Sequence, residues 1–329
     1  MTVTIHDVAR RAGVSISTVS RAFTSPDLVK RQTRDRVLAA ATELGYHATS
    51  APHRVPAVRT GHIGIVVSEL GNPFFTGVLN GVQARARQHD IAVLFANSDE
   101  DPAAEQNIVR RMAGQVDGIV LCSPSMTDDQ VRALTEQTTL VLLNREVPGV
   151  GSIVMDSADG MRQAIQHLAA LGHHRCAYLG GPRTSWSNKA RKRGLAEAAE
   201  RHGIEIVEFG PFPPMFEGGL QGADLALAAD VTAIVAYNDL VAFGALARLN
   251  ARGVPVPDEV SLVGFDDLVF AAISAPPLTT IAMPTEAAGR AAVTVLLGLL
   301  DGEADDDITQ VLDTYLIVRA TTAPPPPSR

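Results

Sequence analysis

From residue 61 onward the chain repeats one pattern: a short, wholly apolar run, then a longer stretch with amphipathic helical spacing. The strand-like runs include IGIVV (63–67), IAVLFA (91–96), GIVLC (118–122), LVLLN (140–144), CAYLGG (176–181), AIVAY (233–237) and VSLVGF (260–265). Residues 75–89, 160–171 and 240–251 carry helical periodicity between them. A run that is apolar on every residue suits a strand covered on both faces. Regular alternation with helices makes such strands parallel. The expected fold class is therefore α/β, built from doubly wound parallel sheets. The roughly 270 residues after residue 60 suit two lobes better than one core, and strand counts before and after Asp156 are similar.

Composition excludes several classes. The chain is 46% hydrophobic and 19% charged, as soluble globular proteins are. No apolar run reaches membrane-spanning length. The opening MTVTIHDVARR carries charges where a signal peptide needs an apolar core, so no export signal is expected and the cytoplasm is the expected compartment. Two cysteines, Cys122 and Cys176, are too few for a disulfide framework or zinc cluster and read as buried strand thiols. Nine scattered histidines have no ligand spacing, and His173-His174 reads as turn geometry, so no metal and no cofactor is expected.

Charge separates the N-terminal end from the rest. Residues 1–60 hold nine Lys or Arg against four Asp or Glu, a net +5; residues 61–329 hold nineteen against thirty-two, a net −13. A small basic end on an acidic body points to a polyanion met by that end alone. Three short helices fit there. The first starts at Thr4, with Ile5, Val8, Ala9 and Ala12 at helical spacing and Asp7 completing a variant capping box; it stops at Gly13. The second is capped by Ser15, and the third begins near Thr33 and buries Val37, Ala41 and Leu44.

Helix, glycine turn and helix make a helix-turn-helix, whose second helix enters the DNA major groove. That accounts for a free side built of small hydroxyls and one arginine. Short donors and acceptors fit against base edges and phosphates, where a glutamate would be repelled. Ile16, Ser17 and Arg21 are expected to face the groove, and Thr4, Ser15, Thr18, Ser20 and Thr33 the phosphates. One such unit reads too few base pairs to be specific, so a homodimer on a near-palindromic operator is expected.

TIHDVARRAGVSISTVSRAF, followed by TRDRVLAAATELGYHAT, resembles the headpiece of the LacI family of bacterial transcription regulators. The resemblance extends along nearly the whole chain. It implies a small all-α helix-turn-helix headpiece (1–48), a hinge or linker (49–60) and a two-lobe body (61–329) of the periplasmic binding protein type I-like fold. The chain would cross between lobes near Asp156, Ala282 and Asp313. The family's hinge forms a helix on DNA and wedges a leucine into the minor groove. Here Val55 stands at the wedge position, and Pro52 and Pro56 fall inside the expected helix. An interior proline costs about 3 kcal/mol. The expectation is a shortened hinge helix and a weaker DNA kink, with His53, Arg54 and Arg59 assisting phosphate binding.

Ligands of open α/β sheets bind at the carboxyl ends of the strands. The residues there are Asn72 and Phe74, then Asn144, Met155, Trp186, Ser187, Arg191, Asn238, Asp266 and Met283. Phe74 and Trp186, the chain's only tryptophan, would stack on a ring. The amides and charged groups would pair with hydroxyls or ring nitrogens. Arg191, Asn238 and Asp266 also match the family's pocket positions. Asp267 is expected to cap the following helix.

These observations lead to a sequence-specific DNA-binding repressor, not an enzyme, controlled by a small polar effector between the lobes. A sugar suits the pocket best and a nucleoside or purine second. A solute-binding protein shares the body but needs export and has no headpiece. An enzyme of the doubly wound class would show a G-x-G-x-x-G, a P-loop or a G-x-S-x-G motif, and the chain carries none of these.

Overall fold

The computed structural model describes residues 5–16, 18–19, 22, 29–44 and 59–327. Its contacts divide the chain into two units, residues 1–58 and 59–329, and each is taken by itself. Thr4, Ser17, Ser20, Arg21, Pro52, His53, Arg54, Val55 and Pro56 lie outside the described residues.

In the first unit, the helix Ile5–Ala12 ends at Gly13, whose φ of 63° is left-handed. The Val14 amide donates back to the Ala9 carbonyl at 3.1 Å, the closing bond of a Schellman turn. Ser15 caps the next helical segment: its hydroxyl accepts from the Thr18 amide at 3.2 Å. The third helix is Arg31–Leu44. Val8, Ala12, Val19, Ala22, Val37 and Ala41 close a small apolar core, and Arg11 pairs with Glu43 at 2.7 Å. The third helix thus starts slightly earlier than Thr33.

The second unit holds two six-stranded sheets. The first contains β1 (His62–Val67), β2 (Ala92–Asn97), β3 (Gly118–Cys122), β4 (Thr139–Leu143), β5 (Ser152–Met155) and β11 (Thr309–Leu312) in the order β11-β5-β4-β3-β1-β2. The second contains β6 (Arg175–Leu179), β7 (Glu205–Phe209), β8 (Ala233–Ala236), β9 (Ser261–Asp266), β10 (Thr279–Ala282) and β12 (Tyr315–Ile317) in the order β12-β10-β9-β8-β6-β7. Every pairing is parallel except β10 with β12. This is the doubly wound α/β architecture that the alternation predicts. β1, β3 and β9 are buried along their lengths, as doubly covered strands must be.

The chain leaves the first sheet at Asp156, returns at Met283-Pro284 and crosses a last time at Asp313-Thr314, between β11 and β12. The crossing helices Ser157–Ala170 and Thr285–Asp301 therefore pack on the lobe opposite the strand that precedes them. One apolar core, including Ile63, Val120, Met161, Tyr178, Phe265 and Val293, runs through both lobes. Cys122 and Cys176 are buried in it, and burial pushes the Cys176 thiol up to about 12. No helix among the described residues is long and apolar enough to cross a membrane.

Candidate effector site

In both lobes, a residue just after a strand also starts the next helix. Asn72 caps the helix Pro73–Arg87 by accepting from the Phe74 amide at 3.0 Å, with Pro73 preset for the first turn. Ser185 accepts from the Asn188 amide at 3.1 Å to cap Trp186–His202, and Asn238 from the Val241 amide at 2.9 Å to cap Asp239–Ala251. These caps stand at the carboxyl ends of strands, so the turns that end strands and begin helices also wall one cleft between the lobes. The cleft is open to solvent and is lined from both lobes.

Eight of the ten residues expected at the effector site line this cleft: Asn72, Phe74, Asn144, Trp186, Ser187, Arg191, Asn238 and Asp266. Met155 and Met283 do not. Both are buried in the apolar core shared by the lobes. They stand at the crossings, where the chain passes through that core, and their side chains fill it. Asn72, expected as a ligand contact, is a helix cap and also a lining residue.

Arg191 and Asp266 form the floor on the second lobe. Arg191 is 3% exposed and Asp266 6%. The guanidinium is held between the rings of Tyr237 and Phe265, 4.6 and 3.8 Å from their centroids. Its Nη1 donates to the Tyr237 carbonyl, and its Nη2 lies 3.4 Å from Asp266 Oδ1. Burial pushes the Asp266 carboxyl up to about 7 even against the lowering pull of Arg191. Behind it, the buried Asp239 accepts from the Thr280 hydroxyl at 2.6 Å and the Leu268 amide at 2.8 Å. Burial and the charge of Asp266 raise Asp239 as well. Asp267 does not cap a helix: it pairs with Arg319 at 2.7 Å, and no side chain caps Val269–Ile273.

The first lobe contributes amides, hydroxyls and acids. Asn144 donates to Ser123 at 3.1 Å and across the cleft to Ser187 at 2.9 Å. Ser123, Asn144 and Glu100 have left-handed φ values of 51°, 60° and 57°, and Asp266 has 118°. Such backbone costs about 1–3 kcal/mol per residue and clusters at functional sites. The loop 124–126 is held from behind by Glu105, whose carboxylate accepts from the Ser125 and Met126 amides at 3.0 and 3.2 Å.

Sequence reasoning missed Glu69, Glu100, Ser185, Met215 and Tyr237, all of which line the cleft. Tyr237 was within reach, since it directly precedes Asn238. Glu69 and Glu100 lie in loops beyond the strand ends, where spacing carries no signal.

Of the residues expected on DNA, Ser15 and Ile16 are exposed and Thr18 and Thr33 half-buried. Ile16 is 42% exposed although apolar, beside the Ser15 hydroxyl, which lies 2.8 Å from that of Thr18. His173 is buried: Nδ1 bonds the Thr232 hydroxyl at 2.8 Å, and Nε2 lies 2.9 Å from the Ala323 carbonyl oxygen. Its ring holds the end of the chain to the second lobe.

Comparison with known proteins agrees with this architecture. Residues 4–49 match the family described as "Bacterial regulatory proteins, lacI family", and residues 165–322 match "Periplasmic binding protein-like domain". The transcriptional regulator GalS of Salmonella typhimurium is 32% identical over 98% of this chain and 97% of its own. The transcriptional repressor CytR of Escherichia coli is 30% identical over 97% of this chain and 96% of its own. Among solved structures, a complex of the transcriptional regulator CelR with cellobiose superposes with a TM-score of 0.73 at 32% identity, covering 97% of this chain and 100% of that one. The lac repressor dimer bound to operator and the anti-inducer ONPF gives 0.75 at 29% identity, covering 98% and 100%.

Proposed function

Because this chain belongs to the LacI family of bacterial regulatory proteins, whose members are DNA-binding transcriptional regulators and not enzymes, we propose that it is a repressor whose operator affinity is set by a sugar bound between its lobes. The observation that carries this reading is the cleft itself: the half-buried Trp186 and the largely buried Phe74 line it with aromatic carbon, beside the polar groups of Arg191, Asp266, Asn144 and Asn238. Flat apolar faces with a few fixed donors and acceptors suit a ring edged with hydroxyls. The same faces suit a nucleoside as the second ligand class.

The headpiece is assigned to residues 1–48, the linker to 49–60 and the effector-binding body to 61–329. Ser15, Ile16, Ser17, Thr18, Ser20, Arg21, Thr4 and Thr33 form the DNA-contacting set, with Val55 in the linker. Two copies act on a near-palindrome. Val269, Phe270 and Ile273, exposed at 70%, 48% and 73% on one short helix, support a face for the second copy. The mechanism is linkage. A ligand touching strand ends of both lobes favours one arrangement of lobes joined by three crossings, and that preference changes operator affinity by the coupling free energy.

The test is thermal unfolding of the whole chain against sugars, nucleosides and purines, followed by operator titration with each hit. A ligand at 100 times its Kd stabilises the folded state by about 2.7 kcal/mol. The expected result is one sugar that raises Tm and weakens operator binding, with both effects lost in Arg191→Ala. A sugar that raises Tm and leaves operator affinity unchanged would refute the regulatory coupling.

A further inference from the structure

The charges of the cleft do not balance. Arg191 is the one cation among the described residues that line it. That cation is already committed to Asp266 and the Tyr237 carbonyl, with aromatic rings on its faces. On the first lobe, Glu69 and Glu100 line the same space with no basic partner. Glu69 accepts from the Gly71 amide at 2.7 Å. No side-chain hydrogen bond or ion pair among the described residues holds the Glu100 carboxylate. Burial and the adjacent Glu69 carboxylate push Glu100 up from its ordinary value, and its charge is felt by Tyr237 on the opposite lobe.

A second observation points to a ligand. Asn144 lines the cleft, is 4% exposed, and its Oδ1 accepts no hydrogen bond. A buried acceptor left unmatched is costly, and a ligand's donor in the cleft would meet it. Glu69, Glu100 and Asn144 Oδ1 present acceptors, which suit hydroxyls or N–H groups better than further oxygen acceptors.

We infer that the cleft takes a donor-rich, unphosphorylated ligand, and that Glu69 and Glu100 are the specificity-determining residues that refuse its phosphorylated counterpart. A phosphate brings negative charge and acceptors to a wall of acceptors. Arg191, the one cation among the described lining residues, is already charge-paired with Asp266. The inference rests on the sugar-regulator reading above and narrows it.

The experiment uses the full-length protein and matched pairs: glucose and glucose 6-phosphate, galactose and galactose 6-phosphate, cellobiose and cellobiose 6-phosphate, ribose and ribose 5-phosphate. Each is titrated by calorimetry against the wild type and against E69Q/E100Q. In the pair that binds, the unphosphorylated member is expected to bind about tenfold tighter or more, because an unpaired like charge sets the discrimination. The ratio is expected to collapse toward one in E69Q/E100Q. Should that variant melt early, the single variant E100Q reads the same ratio. A phosphorylated member that binds equally or better overturns the inference and leaves the regulator reading standing. An undiminished ratio in E69Q/E100Q also overturns it. Silence from both members of every pair removes the sugar reading and this inference together.

Discussion

The two lobes share a strand order and a way of capping helices, yet they meet the cleft with different chemistry. The second lobe presents a charged pair, Arg191 and Asp266, sealed under aromatic rings and almost without water. The first presents an amide, hydroxyls and two acids near the mouth. A repeated fold thus sets where a ligand sits, while the loops beyond the strands decide what it must be. The buried pair is preorganised and expensive to disturb.

Unequal damage from equivalent truncations would sharpen this contrast. Arg191→Ala leaves Asp266 buried and unpaired, so a loss of about 3–5 kcal/mol in unfolding free energy is expected, with no measurable ligand binding. Asn144→Ala removes two hydrogen bonds to hydroxyls and should cost only about 1–2 kcal/mol. Urea unfolding of both variants checks this, and equal losses would break the contrast.

Away from the cleft, the lobes should respond alike. Each packs its crossing helix against its first helix through a glycine: Gly81 against the Glu286 carbonyl, Gly194 against the Ala158 carbonyl. A methyl at either position runs into backbone that cannot turn aside. Gly81→Ala and Gly194→Ala should each cost about 1–3 kcal/mol. A loss confined to one of them in chemical denaturation would show that the lobes are not equivalently packed.

A pH experiment addresses the first lobe alone. Burial pushes Glu105 up from 4.5 to about 7, against the lowering pull of the Ser125 and Met126 amides and of Arg145. A raised carboxyl means that the folded state keeps a proton which the unfolded chain gives up. That stability is complete below 4.5 and is lost as pH climbs through about 7. The Tm of the wild type should therefore fall relative to Glu105→Gln over that window. A constant difference between the two would show that Glu105 is ionised throughout. The smallest effect is expected in the first unit, where Ser15→Ala should cost about 1 kcal/mol, read as faster amide exchange around residues 18–22.

Much of this was legible beforehand because it depends on local chemistry. Short apolar runs alternating with helical periodicity read as strands of parallel sheets, although the edge strand β2 is only partly covered. Asn72 and Asn238 were expected at the cleft because ligands of such sheets bind at strand ends; that they also cap helices came from the structure. Met155 and Met283 were misplaced because standing at a strand end does not say whether a side chain enters the cleft or the core. At a crossing, the core takes it. Arg191 lies in a basic run that would ordinarily be a solvated face, yet it is 3% exposed.

The sequence by itself determined the alternating elements, the basic helix-turn-helix end and the neighbourhood of the cleft. These follow from side-chain chemistry over a few residues. Only the tertiary structure decided which residues face the ligand. The left-handed backbone at Glu100, Asn144 and Asp266 exists because the surrounding packing enforces it. The committed state of Arg191, and the uncompensated acids opposite it, arise from segments far apart in the chain. Charge balance in a cleft is a property of the space, and no short stretch of sequence contains it.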